Sequence, residues 1–182
     1  MKLKDADIVL VPGLGNSGPD HWMTRWEEKI ATARRAELGD WDAPNLEGWT
    51  AALIAAVNPS ERPVVLVAHS AGVPTVVHAA PKFTADVRGA FLVAPPHVDD
   101  LDYVPESVKV FSPYPETPLP FPSFTISSKD DPYAPQTRVQ ELANAWGSFF
   151  IDAGEQQHLN TESGHGPWPE GLMVFSKFLS RI

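Results

Sequence analysis

A chain of 182 residues is long enough to bury a core without disulfide or metal support, and it reads as a single domain over residues 1–182. It has no cysteine, which removes disulfides, thiolate nucleophiles and zinc–thiolate clusters and suits a reducing, cytoplasmic setting. The net charge of −9, with no basic cluster beyond Arg34-Arg35, disfavours nucleic acid, and no run reaches the ~20 apolar residues needed to span a bilayer, so no membrane is expected as a partner.

The opening Met1-Lys2-Leu3-Lys4-Asp5 lacks the apolar segment of an export signal. Ile8 to Val11 is a short apolar run closed by Pro12-Gly13, and Trp22, Trp26 and Ile30 recur every four residues, so a buried strand leads into an amphipathic helix. The same unit then repeats. Arg35 to Leu38 is a candidate strand, Gly48 to Val57 a helix, Val64 to Ala68 a buried strand, and Ala71 to Ala80 a helix that tolerates Pro74 in its first turn. Ala90 to Val93 and Phe124 to Ser127 follow as strands, Pro135 to Trp146 as helix, Ser148 to Ile151 as strand and Pro169 to Leu179 as the closing helix. Strands alternating with helices imply right-handed crossovers and about six mostly parallel strands covered on both faces. The proline-rich stretch from Pro95 to Pro122 has no clear period and is too long for an ordinary connection, so it is expected to be a packed surface loop or a small lid.

Ligands of such a sheet bind beyond the carboxyl ends of its strands, and three candidate groups fall there. Ala68-His69-Ser70-Ala71-Gly72 follows a strand and opens a helix. It matches the nucleophile turn Gly-x-Ser-x-Gly with alanine in place of the first glycine, and small flanking residues allow the close backbone approach that this strained turn needs. An acid after a later strand and a histidine beyond it complete the order Ser, Asp, His of an α/β-hydrolase triad. Of the neighbours Asp130 and Asp131, the second opens the segment Asp131-Pro132-Tyr133-Ala134-Pro135, the layout expected of the triad acid; Asp130 is then a solvated carboxylate at the turn.

Six histidines compete for the base. His21 and His78 fall in helical segments, His69 abuts the serine and His97 precedes the acid, so these read as structural or pocket-lining. Gly164-His165-Gly166 has an attractive glycine before its histidine. Yet His158 lies six residues beyond Asp152, where the last strand ends, and His165 thirteen, so the shorter arm keeps His158 near the sheet's edge and within reach of Ser70 and Asp131.

Gly13-Leu14-Gly15-Asn16-Ser17-Gly18 is a literal dinucleotide fingerprint, with Glu37 or Asp40 placed for a ribose. Pro19 opposes that reading, because it pushes Gly18 out of helical geometry where the third glycine should pack. The loop serves better as a source of one oxyanion-hole amide, Leu14 first and Gly15 next, beside the Ala71 amide after the nucleophile. Trp22, Trp41 and Trp168 flank loops that gather above the sheet, either as loop packing or as an aromatic wall of a substrate pocket.

Taken together, Pro12-Gly13-Leu14 with Ser17-Gly18-Pro19 and His21-Trp22, Trp41-Asp42-x-Pro44 with Trp49, His69-Ser70-Ala71-Gly72, Ser127-Ser128 with Asp131-Pro132-Tyr133, and His158-Leu159-Asn160 resemble the small serine hydrolases related to retinoblastoma-binding protein nine, particularly their bacterial branch. Ser163-Gly164 and Gly166-Pro167-Trp168-Pro169-Glu170-Gly171 extend the match through nearly the whole chain. The resemblance implies a compact α/β-hydrolase fold with little or no cap, and a nucleophile, acid and histidine at Ser70, Asp131 and His158. That family usually has glycine where this chain has Gln157. The expected activity is hydrolysis of a small ester, thioester or amide, with no metal or cofactor. The alternative is a catalytically weak binding or adaptor protein on the same fold.

Overall fold

The computed structural model describes residues 1–182. Six strands, β1 (Asp7–Val11), β2 (Ala33–Arg35), β3 (Val64–His69), β4 (Val87–Val93), β5 (Ser123–Ser127) and β6 (Phe149–Asp152), form one sheet in the order β2-β1-β3-β4-β5-β6. Every neighbouring pair is parallel. Five helices alternate with them: α1 (Trp22–Lys29), α2 (Leu46–Val57), α3 (Gly72–Ala79), α4 (Gln136–Trp146) and α5 (Pro169–Leu179). None is long and apolar enough to cross a membrane.

The central strands bury both faces, and their alternation sorts the core into two layers. Val9, Val11, Leu66, Ala68, Ala90 and Leu92 pack with Trp49 and Leu53 of α2 and Val73 and Val76 of α3. Ile8, Leu10, Val65, Val67, Phe91 and Val93 face the other way, onto Trp22 and Trp26 of α1 and Phe175 and Phe178 of α5. A period of two along each central strand is what a pleated strand between two apolar layers requires.

The chain leaves β1 toward β2 and then returns to the opposite side of β1 as β3. That reversal opens a crevice at the carboxyl ends of β1 and β3. Residues 94–122 perform the β4–β5 crossover without an α-helix, using only a short 3-10 turn at Lys109–Phe111. They are held down by burial of Val98, Val104, Val108, Phe111, Tyr114 and Phe121 in the α2/α3 layer. Polar fastenings add to this: Tyr114 Oη donates to Pro96 O at 3.1 Å, Trp146 Nε1 to Pro115 O at 2.9 Å, and Arg138 of α4 bonds both Asp99 and Glu116. The segment is therefore a packed wall, the first of the two forms expected for it.

The second strand departs from expectation. It spans Ala33–Arg35 and not Arg35 to Leu38. The apolar signal at Ala36 and Leu38 comes from burial in the loop beyond the strand, while the strand itself is an edge carrying two arginines. Arg34 caps Ala56 O at the end of α2, and Arg35 pairs with Glu27 of α1. Long cationic side chains are common on exposed edges, and they mask the strand signal.

The first turn of α3 packs so tightly that a Cβ on Gly72 would lie 2.1 Å from Val11 O and 2.7 Å from Pro12 O. Gly72→Ala is expected to lower the unfolding free energy by about 3 kcal/mol or more, because backbone must move to admit the methyl. Gly18→Ala, where nothing lies within 4 Å, should change it by less than ~0.5 kcal/mol. Urea unfolding of the two variants checks the contrast.

Candidate active site

Ser70 follows the last residue of β3 with φ +54°, a left-handed conformation rare for a residue with a Cβ. Its N–H is bonded to Val93 O at 3.0 Å, and its carbonyl accepts the Val73 N–H as α3 begins. The turn thereby lifts the side chain above the sheet. A Cβ on Gly13 would lie 2.8 Å from Ser70 Cβ and 2.9 Å from the Ala71 nitrogen, so only glycine lets the loop after β1 lie against the serine. Neither the Leu14 nor the Ala71 amide donates to any protein acceptor.

His158 Nε2 lies 2.9 Å from Ser70 Oγ, and His158 Nδ1 lies 3.0 Å from both oxygens of Asp131. Asp131 Oδ1 also accepts the Tyr133 N–H at 2.9 Å. This bonding sets the proton on Nδ1 and leaves Nε2 as the acceptor facing the serine. Asp131 and His158 are buried, 7% and 6% exposed, while Ser70 opens onto the cleft. Ser70, Asp131 and His158 are thus brought together from three separate loops. His165 is not part of this set: its Nε2 meets Gln156 Oε1 at 3.0 Å and its Nδ1 meets Ser163 Oγ at 3.2 Å.

The segment carrying His158 is fastened on every side. Its own carbonyl accepts from His69 Nε2 at 2.9 Å, and the next carbonyl, Leu159 O, accepts from Trp22 Nε1 at 2.8 Å. Gln156 N donates to Ser128 Oγ and Gln157 N to Asp130 Oδ1, both at 2.8 Å. Asp130 Oδ1 also accepts from Ser128 Oγ, and these bonds hold its carboxyl below the usual range. Asp130 is therefore more than a solvated turn residue: it clips the β5 loop to the β6 loop. Gln157 and Leu159, on either side of His158, are both left-handed, at φ +48° and +52°. Gln157 stands in that conformation without glycine's freedom, and the bond to Asp130 helps to hold it there.

The crevice above these groups is about 560 Å³ in volume. Gly13, Leu14, His69, Ser70 and His158 lie at its base; Pro96, Val104, Pro105, Val108 and Tyr133 line one side; Asn16, Gly18, His21, Asn160, Thr161 and Glu162 line the other. Tyr133 packs edge-on against the His158 ring at 4.4 Å between centroids. None of Trp22, Trp41 and Trp168 lines it, which corrects the aromatic-wall expectation. Trp22 is wholly buried with its N–H spent on Leu159, Trp168 stacks on Trp26, and Trp41 packs against Trp49. The wall is instead supplied by Val104 and Val108, which the irregular proline-rich sequence did not single out. The glycine loop also differs from a dinucleotide site, since Gly18 lies four residues before α1 and that helix is capped by His21.

A family model described as serine hydrolase matches residues 8–177. The chain belongs to the serine hydrolase family. The crystal structure of a YdeN-like hydrolase from Pectobacterium atrosepticum is 32% identical, with a TM-score of 0.85 over 96% of this chain and 91% of that one. The ydeN gene product of B. subtilis, at 18% identity and TM-score 0.78, covers 96% and 99% of the two chains and shares the fold. An esterase of Thermogutta terrifontis, 16% identical with a TM-score of 0.71 over all of this chain and 85% of its own, shares it too. No curated protein matches. The enzyme is thus a hydrolase with an α/β-hydrolase fold.

Two buried imidazoles of this hydrolase stay neutral. His21 is pushed from its ordinary 6.5 down to about 4, first by burial and then by the positive charge of Arg35. Burial also drives His69 well below 6.5, with the neighbouring His158 and His21 acting in the same direction. Between pH 6.5 and 4 the unfolded chain binds protons at these positions that the folded chain refuses, so stability is complete above about 6.5 and lost as the pH falls. His21 alone should lower the unfolding free energy by roughly 2 kcal/mol between pH 7 and 5, with His69 adding to the loss. His21→Asn keeps a side-chain acceptor for the helix cap and should flatten that slope, as urea unfolding at the two pH values would reveal.

Proposed function

We propose that this serine hydrolase cleaves a small ester, thioester or amide through an acyl-enzyme on Ser70, with His158 as general base and acid and Asp131 holding the histidine. The observation that carries the reading is the unbroken chain from Ser70 Oγ through His158 to Asp131, with bonds of 2.9 and 3.0 Å, beside two unspent amides. Ser70 Oγ attacks the substrate carbonyl carbon as its proton passes to His158 Nε2, and the C=O electron pair moves onto oxygen. The Leu14 and Ala71 amides receive that oxyanion. When the tetrahedral centre collapses, the bond to the leaving group breaks and His158 returns the proton to the departing atom. Water then repeats the sequence to release the acid. Asp131 keeps the proton on Nδ1 in the resting state and stabilises the imidazolium formed in each step. A cleft of about 560 Å³ walled by a fixed segment suits short acyl groups better than lipid chains. Its lining includes Glu162 but neither Lys nor Arg, which disfavours anionic substrates.

A fluorophosphonate should add once to the wild type, and Ser70→Ala should remain folded and unlabelled; equal labelling of that variant would overturn the assignment. His158→Ala should lose on the order of 10³-fold or more in kcat, since triad members act as a unit, while His165→Ala should lose far less. Asp131→Asn should lose roughly 10³ to 10⁴, because an amide favours the wrong imidazole tautomer. Steady-state hydrolysis of p-nitrophenyl butanoate measures all three.

A further inference from the structure

The two walls of the cleft stand above opposite faces of the sheet, and they differ in kind. Val104, Pro105 and Val108 belong to the crossover packed on the α2/α3 face and offer only apolar surface. Opposite them the loop entering α1 and the segment after His158 place His21, Asn160, Thr161 and Glu162. A substrate seated over Ser70 therefore has one side against hydrocarbon and the other against polar groups.

His21 is the best-defined of those groups. Its Nδ1 accepts the Met23 N–H at 3.1 Å as the N-cap of α1, so the ring proton sits on Nε2. Nε2 has no protein partner, yet it is not among the side-chain atoms sealed from solvent without one, so it reaches the cleft. His21 is 5% exposed, and its ring packs at 5.0 Å between centroids against His69, which itself abuts His158. Burial and the Arg35 charge keep it uncharged at neutral pH. It is thus a fixed, neutral N–H donor beside the catalytic groups, with nothing in the protein to receive its proton. An almost buried donor of this kind gains most from an acceptor supplied by a ligand.

Resting on the Ser70 reading above, we propose that His21 is a specificity-determining residue that donates its Nε2–H to a neutral acceptor, an ether, hydroxyl or carbonyl oxygen, on the leaving group of a two-sided substrate whose acyl part lies against Val104 and Val108. The assignment of sides follows from the acid step. His158 must reach the departing atom to protonate it, and the chain runs from His158 directly into the polar wall.

Two esters of equal length test this: 2-methoxyethyl butanoate, which carries an ether oxygen in the alcohol, and butyl butanoate, which does not. After division by the ratio of their hydroxide-catalysed rates, the wild type should favour the ether in kcat/KM by about 5-fold, the value of one neutral hydrogen bond. His21→Asn and His21→Ser both retain an acceptor to cap Met23 N but are too short to place a donor where Nε2 stood, and either should bring the ratio to about one. A wild-type ratio of one, or a preference unchanged in either variant, overturns the role of His21. Labelling of the wild type by a fluorophosphonate at Ser70 keeps the two readings apart: an adduct with no ether preference defeats this inference alone, whereas no adduct and no hydrolysis of either ester defeats the reading beneath it.

Discussion

The left-handed turn at Ser70 is the constraint around which this molecule is arranged. A serine at φ +54° is strained by the order of a kcal/mol, and it persists only because the surroundings leave it no alternative. Gly72 presses α3 onto the carbonyls of Val11 and Pro12, while Gly13 lies against the serine from the other side. Those contacts exist because β1 and β3 are neighbours in register, with Val11 opposite Ala68. Sheet topology, two glycines and the position of one hydroxyl are consequently a single structural fact.

The histidine arm shows a different solution. His158 comes from a loop after an edge strand, where nothing in the sheet fixes it. Hydrogen bonds donated by His69 and Trp22, and others accepted by Asp130 and Ser128, tie that loop to β3, α1 and the β5 loop. The partners on the β3 and α1 side bring no charge, since His69 and His21 are buried and neutral and Trp22 donates from an indole, whereas the carboxylate of Asp130 bonds the backbone of Gln157 and not the His158 ring. Asp131 is the one carboxylate paired with the His158 ring, so in the proposed proton transfer the imidazolium would be stabilised from that side.

Much of this was legible in the sequence, and the misses have identifiable causes. Apolar runs and turn residues located five of the six strands, since buried parallel strands read as short apolar runs. The displaced one, β2, is an edge strand whose arginines face its flanking helices while its apolar neighbours Ala36 and Leu38 lie in the loop beyond. Chain distance from β6 favoured His158 over His165 as the neighbour of Ser70, and an arm of six residues does set its ring between Ser70 and Asp131. For Trp22, Trp41 and Trp168 the sequence left loop packing and an aromatic wall both open, and packing is what is found: Trp22 sends its indole N–H to Leu159 O, Trp41 packs on Trp49 and Trp168 stacks on Trp26, contacts that a sequence does not reveal. The apolar wall escaped notice for another reason: Val104 and Val108 sit in irregular backbone, where periodicity carries no information.

The division of labour among loops has a consequence for how this fold can change its substrate. The groups that meet at Ser70 arise from the loops after β1, β3, β5 and β6, whereas the apolar wall comes from the crossover after β4. That crossover is anchored through its own buried residues and through Arg138, not through Ser70, Asp131 or His158. Changes at Val104, Pro105 or Val108 can therefore reshape the apolar side of the cleft, the proposed acyl side, while the bonds between serine, histidine and aspartate remain in place. The polar side is less free, because Trp22, adjacent to His21, also holds the carbonyl next to His158. Binding and positioning share an element there. Variation in acyl size should accordingly be tolerated more readily by this architecture than variation in the leaving group.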